Sequence, residues 1–163
     1  MDAEELLRRY AAGDRDFIGV DLSDANLSRM DLRGINLSKT YLDGANLIDT
    51  NLCGALAGTH FETTEMMNTD LRQADLSGSH LSADLSGANL SGADLNRADL
   101  YSASLENALL IDTDLSYTKL EAAIFEGANL SYANLTGSTD ASVNNAILFH
   151  TIMPDGSIVN NKP

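Results

Sequence analysis

His60 and His80 lie twenty residues apart, with Glu62 and Glu65 between them. Imidazoles with a carboxylate are a donor set for a zinc-like cation, which needs three or four ligands. Cys53 is the single thiol and could serve as a nucleophile only beside a matched base. No GxSxG, P-loop, GxGxxG or HExxH spacing occurs in the chain. The abundant Asp and Asn could suggest carboxylate pairs for acid–base work. They recur, however, at one fixed place in a short repeat: of 17 aspartates, nine (Asp16, Asp21, Asp31, Asp70, Asp75, Asp84, Asp94, Asp99, Asp114) occupy it. That regularity points to bonding of corner backbone. His60 and His80 occupy the same place and read as substitutions for Asp or Asn. No catalytic residue, cofactor site or metal site is expected, and the chain reads as a non-enzyme.

The repeat that positions these groups is five residues long. Apolar centres run from Phe17 through Leu22, Leu27, Leu32, Leu37, Leu42 and Leu47 to Leu52. A second series runs from Leu56 through Phe61, Met66, Leu71 and Leu76 to Leu81, and a third from Leu85 to Leu135. A weaker fourth contains Val143, Leu148 and Met153. Of 25 leucines, 22 fall on this lattice, against roughly a fifth by chance, so the period is specific. Small residues stand two before most centres (Ala25, Ala45, Ala88, Ala128) and Asp or Asn one before.

A period of five fits neither regular element. On an α-helix successive centres rotate by about 140° and form no stripe. On a flat strand an odd period alternates faces. Only a chain that turns a corner in each pentad keeps every centre inside, and repeated corners make a solenoid. Runs such as Ala83-Asp84-Leu85-Ser86-Gly87 and Ala88-Asn89-Leu90-Ser91-Gly92 resemble the pentapeptide-repeat family, over about residues 15–153. The beginning, Leu6 to Gly13, and the ending, Met153 to Ile158, are similar to cyanobacterial members. The resemblance implies an all-β solenoid, a right-handed quadrilateral β-helix with four pentads per coil, the centre and the residue two before it pointing inward. Twenty-eight centres then give about seven coils, in a rod on the order of 33 Å long.

Spacing falls to four at Leu52 to Leu56 and again at Leu81 to Leu85. Ala55 and Ala57 also fit the repeat, so the first break has an alternative between Ala57 and Phe61. Each short spacing reads as a trimmed corner. Residues 136–142 read as a loop, and the last coil as incomplete. Residues 2–12 read as an N-terminal helical cap, with apolar Ala3, Leu6, Leu7, Tyr10 and Ala11 on one face, Asp2 and Glu5 as a capping box, and Gly13 as the stop. Glu4–Arg8 and Glu5–Arg9 are expected as ion pairs. Pro154-Asp155-Gly156 signals a turn, and a short hairpin across the C-terminal end. The expected organisation is one domain over 1–163: cap 2–12, repeats 15–153, tail 154–163.

The formal net charge is −14, from 24 acids and 10 bases. This excludes a basic phosphate-binding footprint, so no direct nucleic-acid partner is expected. One cysteine excludes an internal disulfide and a Cys-rich zinc module. No 18-residue apolar run and no basic-then-apolar leader appear, so a cytoplasmic location away from membranes is expected. Leu109, Ile111 and Tyr132 face outward on one wall and Ile124 on the preceding one, at positions the repeat fills with polar residues. These four form the candidate partner-binding surface. The function expected is a rigid, non-catalytic scaffold for a protein partner of unknown identity, with a regulatory role implied by the cyanobacterial resemblance. The resemblance also implies an alternative, an acidic DNA mimic that binds gyrase or topoisomerase. A monomer and an end-to-end dimer are both left open.

Overall fold

The computed structural model describes residues 1–56, 58 and 60–161. Each pentad makes the same local choices. The carbonyl of the apolar centre accepts a hydrogen bond from the N–H three residues on, as in Ala88 N to Leu85 O at 3.0 Å. The residue two after the centre takes a left-handed φ, as at Gly87 (70°), Arg97 (59°) and Tyr132 (63°). That is the requirement of a type II turn, met cheaply by glycine and at a cost of about 1 kcal/mol by other residues. The Asp or Asn before the centre caps this turn. Asp84 Oδ1 accepts from Ser86 N–H at 3.0 Å, and Asn89 Oδ1 from Ser91 N–H at 3.1 Å. The same bond recurs at Asp21, Asn46, Asp75, Asp94 and Asp114. The Asx position is therefore structural, as its regularity in the sequence implies.

Successive coils join by parallel bridges eighteen to twenty residues apart, forming four ladders. The first runs Asp16, Asn36, Leu56, Asp75, Asp94, Asp114, Asn134, Ile152. The second runs Asp21, Tyr41, His60, His80, Asp99, Lys119, Thr139. The third runs Asn26, Asn46, Glu65, Asp84, Ser104, Ile124. The fourth runs Asp31, Asn51, Asp70, Asn89, Leu109, Asn129, Ile147. The bridging residues form four walls and the two-residue turns form the corners. Between the walls one core is filled by centres such as Leu27, Leu47, Leu85, Leu105 and Leu130, all at 0% exposure. Burial of each leucine contributes roughly 1.5–3 kcal/mol. Where threonine replaces the small inward residue, its hydroxyl donates to a centre's carbonyl. Thr50 Oγ1 reaches Leu27 O at 2.8 Å and Thr113 Oγ1 reaches Leu90 O at 2.8 Å, so the buried oxygen is satisfied.

The structure corrects the first register break. Leu56 is not a centre: it is 46% exposed, on the first ladder between Asn36 and Asp75, while Ala55 is buried. The physical reason is the turn before it. Gly54 already holds the left-handed position (φ 67°), and Ala55 N donates to Leu52 O at 2.9 Å, closing a full-length corner. The shortening falls instead between Leu56, which bridges Asn36 twenty residues back, and His60, which bridges Tyr41 nineteen back, in keeping with the alternative break. Ala57 itself lies outside the described residues. The second trimmed corner is where the spacing puts it, with Leu81, Ala83 and Leu85 all buried.

The expected loop over 136–142 also shrinks. Ser138 is buried and Thr139 bridges Lys119, so the repeat continues to 139. At Asp140 a polar residue stands where a centre is due. It is exposed, and the chain cuts directly to Val143. That omission makes the last bridges, Asn129 to Ile147 and Asn134 to Ile152, eighteen apart.

Helix α1 covers Ala3–Ala11 and buries Leu6 in the core cluster. Asp2 accepts from Glu5 N–H at 2.8 Å, as a capping residue does. The expected ion pairs are replaced by nearer ones. Arg8 pairs with Glu5 one turn back, and Arg9 with Asp14 at 2.9 Å, beyond the helix end. At the other end strands β1 (Thr151–Ile152) and β2 (Ile158–Val159) form the antiparallel hairpin that the Pro-Asp-Gly turn predicts. Asn161 then stitches the tail to the last coil, accepting from Leu148 N–H and donating from its side chain to Ala146 O. Lys162 and Pro163, the end of the expected tail, lie outside the described residues.

Candidate functional site

The four candidate residues follow from the corner geometry. Leu109 bridges Asn89 and Asn129 on the fourth wall. Leu110 turns inward, and Ile111-Asp112 form the next corner, between the fourth and first walls. One coil on, the same corner is Ser131-Tyr132, and one further it is Phe149-His150. Hydrogen bonds from Asp112 N to Ser131 O (3.0 Å) and Tyr132 N to Phe149 O (2.7 Å) fix this stacking. Leu109 is 39% and Tyr132 52% exposed, and Ile111 is half-buried. The structure thus gathers Leu109, Ile111 and Tyr132. Ile124, 47% exposed, stands on the third wall above Ser104, around the corner that carries Glu106 and Glu126.

Sequence reasoning missed Phe149 and His150. The Tyr132 ring meets Phe149 edge-on at 5.4 Å and stacks on His150 at 5.5 Å, and Phe149 meets His150 at 4.5 Å. Counting in twenties from Tyr132 lands on Ile152 instead. Only the missing centre at Asp140, which shortens the last coil, gives the signal.

Toward the N-terminus the same corner bounds a groove of about 440 Å³, lined by Cys53, Arg72, Gln73, Ser91, Gly92, Ile111 and Asp112. Arg72 is not free to reach across it. Its guanidinium donates to both oxygens of Asp70, at 2.9 and 2.7 Å. That bond holds the Asp70 carboxyl below its ordinary range, against the opposing effect of partial burial.

The histidines occupy the opposite wall. His60 and His80 stack at 5.0 Å with planes 12° apart, and Tyr41 stacks on His60 at 5.6 Å. The ladder continues through Asp99, which Lys119 holds at 2.8 Å. Burial raises the Asp99 carboxyl, but the hydrogen bonds from Lys119 and from Tyr101 N–H outweigh it, and the net shift is downward. Among the described residues no three His, Cys, Asp or Glu side chains converge on a common cation position. No helix among them is long and apolar enough to cross a membrane.

A square solenoid whose corners repeat every five residues, closed inside by leucine, defines a class of protein. The family described as pentapeptide repeats matches in eight copies, over residues 21–56, 55–82, 82–116 and 108–139. The chain belongs to this pentapeptide-repeat family, and its fold is the right-handed β-helix. It is similar to HetL, a pentapeptide repeat protein involved in heterocyst differentiation regulation from the cyanobacterium Nostoc sp. strain PCC 7120. The two are 28% identical over 98% of this chain and 100% of HetL, with a TM-score of 0.32. Rfr23 from the cyanobacterium Cyanothece 51142 is 25% identical, over 88% of this chain and 97% of that one, with a TM-score of 0.40. Trypsin-treated QnrB1, a plasmid-mediated fluoroquinolone resistance protein, is 20% identical over 89% of this chain and 80% of that one, with a TM-score of 0.50. No protein of curated function matches the chain.

Proposed function

We propose that residues 1–163 form one rod of about seven coils, capped by α1, that acts as a rigid, non-catalytic scaffold for a protein partner in the cytoplasm. The observation that supports this reading is the outward placement of Leu109, Ile111 and Tyr132 together, at positions the repeat mostly fills with Asp, Asn, Ser or Gly. Exposed apolar groups gathered on a polar surface mark interaction sites more often than isolated ones do. Ile124 extends the surface around the corner. A regulatory role rests on the likeness to HetL alone, as an analogy between proteins of one fold.

The acidity favours a second reading, a DNA mimic directed at gyrase. Against it, the carboxylates of Asp21, Asp70, Asp75, Asp84, Asp94, Asp99 and Asp114 each accept from a turn N–H, so much of the charge serves the corners. Affinity capture from the source cells, with wild type and an Ile111→Ser/Tyr132→Ser variant side by side, tests the scaffold reading. A partner bound by the wild type and weakened by about 1–2 kcal/mol per substitution is expected. A gyrase supercoiling assay in a salt series tests the mimic. Inhibition at low salt that survives Ile111→Ser/Tyr132→Ser, and is lost on neutralising Glu106, Asp112, Glu121 and Glu126, would replace the scaffold by the mimic.

A further inference from the structure

The apolar stripe has a charged frame. Between residues 98 and 161 the chain carries eight acids (Asp99, Glu106, Asp112, Asp114, Glu121, Glu126, Asp140, Asp155) against one lysine, Lys119, no arginine and one histidine, His150, which stacks on Tyr132. Lys119 sits on the second wall, opposite the stripe, and is held by Asp99 at 2.8 Å. The stripe runs over three coils at the corner that follows the fourth wall, through Ile111, Tyr132 and Phe149; on the wall itself Leu109 and half-buried Ile147 stand on either side of Asn129. Phe149 is 39% exposed despite its contacts with Tyr132 and His150. On one flank the preceding corner carries Glu106 and Glu126, both exposed. On the other, exposed Asp112 lies within the stripe's own corner and Asp114 stands beyond it on the first wall, with Asp94 one coil nearer the N-terminus and uncharged Asn134 and Ile152 on the coils of Tyr132 and Phe149.

We infer that this stripe receives a cationic amphipathic peptide segment of a partner protein. Its apolar residues would pack on Tyr132, Phe149, Ile111 and Leu109, and its Lys or Arg side chains would meet the carboxylates on either flank. The inference rests on the proposed scaffold function and deepens it by stating the partner's chemistry. Two features of the surface select this occupant. An apolar anchor row with rigid aromatics supplies the contact energy that charge alone lacks. A rim of one sign disfavours an acidic or neutral partner and steers a basic one. A second copy of this chain, itself at −14, would bring like charge to the same rim.

The test uses the full chain and three labelled 14-residue peptides, with binding read by fluorescence anisotropy at near-physiological salt. One peptide is an amphipathic helix of Leu and Lys. The second is its Leu and Glu counterpart, and the third a non-amphipathic Lys and Ser peptide of the same charge as the first. The Leu/Lys peptide is expected to bind at least about tenfold more tightly than either other. Ile111→Ser/Tyr132→Ser should weaken it by about tenfold or more, and so should Glu106→Gln/Asp112→Asn/Glu126→Gln. Neutralising three acids elsewhere, Glu4→Gln/Asp24→Asn/Glu65→Gln, should change it less than about twofold. Circular dichroism checks that every variant keeps the fold. Equal binding of the Lys/Ser peptide, or indifference to Ile111→Ser/Tyr132→Ser, would overturn the inference in favour of charge alone. Equal binding of the Leu/Glu peptide through the same apolar residues would overturn the cationic partner yet leave the scaffold surface standing. Failure of all three peptides, with Tyr132-dependent self-association in the ultracentrifuge, would assign the stripe to a second copy and overturn it as well.

Discussion

The N-terminal and C-terminal halves of the rod share one interior and differ outside. In both, the inward positions hold buried Leu, Phe or Met centres and mostly small or threonine neighbours, with Val20, Met30 and Ile35 as larger ones near the N-terminus. Outside, five cations of the N-terminal half are paired with carboxylates: Arg8–Glu5, Arg9–Asp14, Arg33–Asp31 and Arg72–Asp70 locally, with Arg29–Asp49 linking adjacent coils. Among the described residues the C-terminal half has one such pair, Lys119–Asp99. The large exposed apolar residues divide the other way, with Ile18, Tyr41 and Leu56 in the first half against Tyr101, Leu109, Tyr117, Ile124, Tyr132, Phe149 and Ile158 in the second. The fold consumes two positions in five. Of the other three, the Asx position caps the turn and the position two after the centre takes a left-handed φ, so outward side chains vary at a cost to the turn and not to the core, and a difference there is where function has room to be written.

The largest effect expected is at an inward position. Leu95→Asp places an unpaired charge at a site with 0% exposure and should cost about 4 kcal/mol or more, unfolding the rod locally or wholly. Denaturant unfolding of this variant at wild-type stability would break the division between inside and outside.

Removing residues 1–13 takes Leu6 from the core and uncovers Phe17 and Leu22 at the open end. Unpaired backbone at a solenoid end is a template for pairing, so the truncated chain should self-associate in light scattering. A stable truncated monomer would mean that α1 is not a lid.

The comparison is sharpened by acid. Asp31 and Asp70 have carboxyls lowered chiefly by hydrogen bonds from Arg33 and Arg72. A group lowered on folding stabilises the fold above its unfolded pKa and loses that contribution as pH falls through the folded value. The loss should therefore fall below the ordinary carboxylate range, and Arg72→Met should move acid unfolding toward higher pH by a small amount, these pairs being largely solvated. An acid-unfolding midpoint unmoved by Arg72→Met would remove the pair from the account.

The centres from Leu22 to Leu52 and from Leu85 to Leu135 were legible because a fixed period states which side chain is inside without reference to any distant residue. Legibility failed where two phases competed. Leu56 and Ala55 both suit an inward site by size, and the choice was made by the turn at Gly54 and its hydrogen bond to Leu52. It failed again where a centre was absent. Asp140 removes one step from the last coil, and with it the arithmetic that would have placed Phe149 beside Tyr132. The helix's apolar face was readable, but its ion pairs were not, because the partners of Arg8 and Arg9 were set by proximity at the helix end. The outer surface repeats polarity and turn residues but encodes no contact, so Leu109, Ile111, Tyr132 and Ile124 stood out only as exceptions to the polar pattern.

The central claim is that adjacent residues divide stability from interaction, and Leu130 and Tyr132 test it within one turn. Leu130 is at 0% exposure and Tyr132 at 52%. Leu130→Ala should cost about 2–5 kcal/mol in urea unfolding, by lost burial and the cavity left behind. Tyr132→Ser, which gives up only the ring contacts to Phe149 and His150, should cost no more than about 1 kcal/mol. Equal losses in the two variants would contradict the account.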